Sequence, residues 1–151
     1  MIDREKRELA AALLRQFRDG QINSDELETA WPAYKEDRAL RAVESMVWAF
    51  YDDHFPRRMS GKQTATHEEY DALTRYAAFL DTQLPYEWPQ SSFYRIGGLG
   101  ILTILSLGLL WPVDRWIKRR NAQFEAELRA AGDFDVWPFI KREDHDHSPA
   151  S

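Results

Sequence analysis

Between Arg95 and Asp114 lie eighteen consecutive residues without a charge, in a chain where 30% of residues are charged. That run, 96–113, limits what the chain can fold into more than any other feature. Contiguous apolar surface of this size has to be covered by lipid or by protein. A transmembrane helix needs about 20 apolar residues, so the run meets the lower limit. Its flanks suit a bilayer. Phe93, Tyr94 and Trp111 can sit at the interfaces, and Arg115, Lys118, Arg119 and Arg120 follow at once. Gly97, Gly98, Gly100, Thr103, Ser106 and Gly108 would let helices approach closely in lipid. The other reading is a glycine-packed helix buried among the other helices, and Pro112 shortens the helical part. The reading leans to a membrane-embedded segment. A span would keep residues 1–95 in the cytoplasm, against the usual bias of the four basic residues that follow it.

The rest of the chain reads as helical. Leu9, Leu13, Leu14 and Phe17 recur at helical spacing from an Asp3 cap to Gly20, which predicts a first helix over 4–19. Asn23 and Glu26 form a capping box for a second helix, 24–30, that stops before Pro32. Leu40, Val43, Met46, Val47, Phe50 and Tyr51 predict a third helix over 38–54, with Trp48 in the core. Pro56 to Ala65 reads as a surface loop. Thr66 and Glu69 form a second capping box, and Tyr70, Leu73, Ala77, Leu80 and Leu84 line a fourth helix that ends at Pro85. Ser91 or Ser92 can cap a fifth helix through Leu110, which Pro112 ends or kinks. Ile117, Asn121, Phe124 and Leu128 give a sixth, closed by Gly132. Asp144 to Ser151 reads as a frayed tail.

The expected fold is therefore all-α: a bundle of about four helices, then an apolar helix and a C-terminal amphipathic helix. The expected organisation is a helical bundle over 1–90, the apolar helix over 91–113, and an amphipathic helix with a short tail over 114–151. Four of the six tryptophans precede proline, at Trp31, Trp88, Trp111 and Trp137. Each can anchor a helix end while the proline stiffens the exit; a shared aromatic surface for a ligand is the alternative.

The chemistry that the residue types allow is narrow. No cysteine is present, so disulfides, thiolate zinc sites, Fe–S clusters and thiol nucleophiles are excluded. A net charge of −5 argues against nucleic acid as a partner. Asp52, Asp53 and His54 could ligate a divalent metal, but adjacent helical residues point about 100° apart, so a solvated helix end is the expectation. Asp144-His145-Asp146-His147 is read the same way, as tail rather than metal site. Ser60-Gly61-Lys62 lacks the glycine and hydroxyl of a phosphate loop. No nucleophile elbow or His-Glu-Xaa-Xaa-His motif occurs. No catalytic, cofactor or metal residues are assigned, and no cofactor is expected.

Arg115, Lys118, Arg119 and Arg120, beside Trp116, are the one candidate site: a basic cluster for anionic lipid headgroups. Pairing with Glu125 and Glu127 is the alternative. The segment from Leu9 to Glu28, with Asp19-Gly20-Gln21-Ile22-Asn23 at its turn, resembles the short hairpins called SHOCT-like, although Leu27 stands where that pattern has Phe. That resemblance implies a role in association. The whole chain also resembles a group of bacterial helical proteins, through Trp48-Ala49-Phe50-Tyr51-Asp52-Asp53, Tyr86-Glu87-Trp88-Pro89 and Asp133-Phe134-Asp135-Val136-Trp137-Pro138-Phe139. It implies no catalytic residue.

The expectation is a non-enzymatic membrane-associated or protein-interaction protein. Its partner would be a membrane through 96–113, or another protein. Its place would be the cytoplasmic side of the inner membrane, because the first eight residues carry alternating charges instead of a signal sequence. The alternatives are a soluble cytoplasmic binding module of the immunity kind and a metal-dependent enzyme built on Asp52, Asp53 and His54.

Overall fold

The computed structural model describes residues 2–33, 36–50, 56–89 and 111–148, with the backbone alone at 49, 111–114, 117, 118, 121, 124 and 125. The fold is all-α. Its helices are α1 (Arg4–Arg18), α2 (Ser24–Ala30), α3 (Arg38–Val47), α4 (His67–Asp81), α5 (Trp111–Ala131) and α6 (Arg142–Asp146). Tight 3-10 turns occur at Trp48–Phe50, Gly61–Gln63 and Phe134–Val136. The chain divides into two compact units, one of residues 1–87 with 133–151, the other of 88–132.

In unit 1, α1 starts where the Asp3 carboxylate accepts the Lys6 N–H, which would otherwise lack a partner at a helix start. The buried residues of α1 are Arg7, Ala10, Ala11, Leu13, Leu14 and Phe17, and the helix packs mainly on α4. Gly20 then turns the chain at φ 70°. A Cβ there would lie 2.7 Å from the Met59 carbonyl oxygen, so the position accepts only glycine on both grounds. Both capping boxes form. Glu26 N–H donates to Asn23 Oδ1 at 2.9 Å, and Asn23 N–H to Glu26 Oε2 at 2.7 Å. The Thr66–Glu69 box repeats the pattern at 3.2 and 2.8 Å.

The core gathers Leu14, Phe17, Leu40, Val43, Leu73, Tyr76, Phe79 and Leu80, each worth about 1.5–3 kcal/mol when withdrawn from water. The C-terminal segment completes it. Trp137 and Phe139 are fully buried, with Tyr76 edge-on to Trp137 at 5.0 Å and Phe79 edge-on to Phe139 at 5.1 Å. The Trp137–Pro138 peptide is cis.

Several boundaries differ from the sequence expectation. α3 stops at Val47 rather than His54, because the chain tightens into the turn at Trp48–Phe50. Trp48 is consequently 49% exposed and not a core residue. Residues 51–55, with Asp52, Asp53 and His54, lie outside the described residues. α4 ends at Asp81, where Thr82 Oγ1 donates to the Phe79 carbonyl at 2.7 Å, so Leu84 falls beyond the helix. The loop from Pro56 is anchored rather than merely solvated: Met59 is buried, and Asn23 and Arg58 form an isolated antiparallel bridge. Asp144 to Asp146 are helical in α6 and Ser148 is buried, so the tail is not frayed there.

In unit 2, Pro112 opens a helix instead of ending one. It sits in the first turn of α5, where its missing N–H costs nothing. Gly132 N–H donates to the Leu128 carbonyl at 3.3 Å and closes α5 as expected. The expected fifth helix lies outside the described residues. Trp88 and Trp137 are buried and Trp31 is half-buried, which fits anchoring; the Trp111 side chain is not among those described.

Candidate functional site

The candidate site is the exposed face of α5. Arg115, Trp116, Arg119 and Arg120 are all exposed, Trp116 by 55%. At about 100° per residue, these four side chains span an arc of roughly 140° on one side of the helix. Leu128, the buried residue among the described side chains of α5, projects from the opposite side of the helix. The Arg120 guanidinium lies over the Trp116 ring, 5.4 Å from its centroid, a cation–π contact that also holds the indole against the charge. Lys118 belongs to the same helix, with its backbone alone described. The helix thus presents an indole among guanidinium groups, a combination suited to the interface between water and anionic headgroups.

A second feature escaped the sequence reading. Leu27, Glu28, Trp31, Glu44, Val47 and Trp48 line a shallow cleft of about 210 Å³ including its open mouth. The half-exposed Trp48 forms its rim because α3 ends one residue earlier. Nothing in the helical period marks that end, since Phe50 and Tyr51 continue the stripe.

A third is buried chemistry of a structural kind. Arg7 and Asp37 are 2% and 3% exposed at their side chains. Arg7 Nε donates to Asp37 Oδ2 at 2.7 Å, and Nη2 to Oδ1 at 3.0 Å, a two-pronged pair. Arg7 Nη1 also donates to the Leu84 carbonyl at 2.8 Å, and the Asp37 carboxylate accepts the N–H groups of Asp3 and Ala39. Burial pushes the Asp37 carboxyl up, but Arg7 and the two backbone donors outweigh it and hold it below the usual carboxylate range. Glu69 is likewise held low, by the Arg57 guanidinium at 2.8 and 2.9 Å. Burial pushes the Tyr86 phenol up to about 12, out of range for acid–base work near neutrality.

Among the described residues no three His, Asp or Glu groups are placed to hold an ion. On α6 the His145 ring faces Asp146 at 3.1 Å, and just past its end His147 Nδ1 lies 2.7 Å from the Glu143 carbonyl. Of the apolar run, residues 96–110 lie outside the described residues. Among those described, no helix is long and apolar enough to cross a membrane. No family model, curated protein or solved structure matches the chain.

Proposed function

We propose that this is a non-enzymatic, membrane-associated protein that rests α5 on an anionic lipid surface, on the cytoplasmic side. The observation that carries this reading is the clustering of the exposed Arg115, Trp116, Arg119 and Arg120 on one side of the first half of α5. Two sequence features support it. The arc directly follows the uncharged run 96–113, and residues 111–122 carry four basic groups and one acid in a chain of net charge −5. Basic side chains near an anionic leaflet contribute about 1 kcal/mol each. Three of them therefore account for a binding ratio of roughly 100.

Vesicle sedimentation tests the proposal. The full chain should bind phosphatidylglycerol-containing vesicles, with binding that weakens as salt rises, and should bind pure phosphatidylcholine far less. Changing Arg115, Arg119 and Arg120 together to Ala should lower the affinity for the anionic vesicles roughly 100-fold. Equal binding to both vesicle types, or an unaffected triple variant, would overturn the reading.

A second reading, a protein-binding module of the immunity kind, is favoured by the Trp48 rim of the cleft between Glu28 and Glu44. It predicts a protein that stays monodisperse without lipid or detergent and ignores vesicles of either composition.

A further inference from the structure

Unit 1 is assembled from two stretches of chain, 1–87 and 133–151. The join between them is core, not surface. Trp137 and Phe139 are fully buried, and Trp137 meets Tyr76 and Tyr86 edge-on, with ring centroids 5.0 and 6.3 Å away. Arg75 Nε donates to the Trp137 carbonyl at 2.7 Å. The chain leaves this unit after Glu87 and rejoins it at Asp133.

A single passage through a bilayer between those two points would put Tyr76 and Trp137 on opposite faces of the membrane. Their contact forbids it. A second, returning passage through α5 is excluded as well. α5 contains Arg115, Lys118, Arg119, Arg120, Glu125, Glu127 and Arg129, far more charge than a spanning helix carries. Taking the membrane-associated reading as its basis, we infer that the protein contacts one leaflet from one side. Both stretches of unit 1 share a compartment, and the partner of the α5 arc is the anionic headgroup layer facing that compartment.

The absence of native cysteine makes the test direct. Glu5→Cys and Lys141→Cys place one thiol at an exposed position on each stretch of unit 1, and Ala122→Cys places one on exposed α5, halfway along the helix and outside the arc of arginines. Each full-length variant is carried in sealed membrane vesicles of known sidedness. A membrane-impermeant maleimide is added before and after detergent. All three thiols should react from the same face, without detergent. Glu5→Cys and Lys141→Cys reacting from opposite faces would overturn the one-sided topology while leaving membrane association standing. An Ala122 site protected until detergent is added would overturn it too, by making α5 a span. Recovery of all three variants in the soluble fraction would overturn the membrane-associated reading itself, and this inference with it.

Discussion

The helices α4 and α5 are built from similar proportions of apolar residue and are used in opposite ways. α4 buries Ala72, Leu73, Tyr76, Ala77, Ala78, Phe79 and Leu80 within fifteen residues, and its first turn is closed by the Thr66–Glu69 box. α5 runs for twenty-one residues, and among its described side chains Leu128 is buried while Trp116 and four arginines are exposed. Most helical stability in proteins comes from packing an apolar face. α4 meets that condition inside its own unit. One helix holds the fold together; the other presents chemistry.

That contrast can be broken at its strongest point first. Arg7→Met leaves Asp37 buried without its counter-charge, and the loss should be about 3–5 kcal/mol in urea denaturation. Adding Asp37→Leu should recover much of it, because a well-packed apolar pair avoids the desolvation cost. A small loss in the single variant would show that unit 1 does not depend on its buried clasp. The clasp also sets an acid limit. The folded pKa of Asp37 lies below that of an ordinary, unfolded-chain carboxyl, so its contribution is present above the unfolded pKa and is lost as the pH falls through the folded one. Acid unfolding followed by circular dichroism should therefore be less steep in the double variant.

A smaller effect is expected at the helix end that the periodicity misplaced. Trp48→Ala should cost no more than about 1 kcal/mol, well short of the 3–5 kcal/mol of a buried Trp truncation. A core-sized loss would return Trp48 to the interior. The smallest effect belongs to α5. Replacing Arg115, Arg119 and Arg120 together with Ala should move the melting midpoint of unit 1 hardly at all, within about 0.5 kcal/mol, because surface changes of this kind seldom do more. A large shift would make the arc a structural element and weaken its assignment to lipid.

Local signals carried much of this fold. Asn23–Glu26 and Thr66–Glu69 could be read as capping boxes because the cap lies within three residues, and Asp3 and Gly20 could be read for the same reason. What failed to show was non-local. Arg7 stands on the apolar stripe with Ala10, Ala11 and Leu14, at the spacing of a core position, yet its charge reads as solvent-facing until Asp37 supplies a partner thirty residues away. The end of α3 was hidden because Phe50 and Tyr51 continue the apolar period of the sequence, while the backbone already tightens into a 3-10 turn at Trp48–Phe50. Of the candidate site, the basic residues and Trp116 were legible as a cluster. Their shared arc needed only the helix, but its start at Trp111 reverses what Pro112 suggests.

The discontinuous make-up of unit 1 bears on how the protein is made. During synthesis α1 to α4 emerge first, and all of residues 88–132 must be added before Trp137 and Phe139 exist. At roughly 5–20 residues per second that is a wait of several seconds, spent with the aromatic faces of Tyr76 and Phe79 uncovered. The uncharged run and the basic helix leave the ribosome within that interval. The nascent chain therefore carries its uncovered aromatic faces and the arginines of α5 together, and the closing tryptophan arrives last.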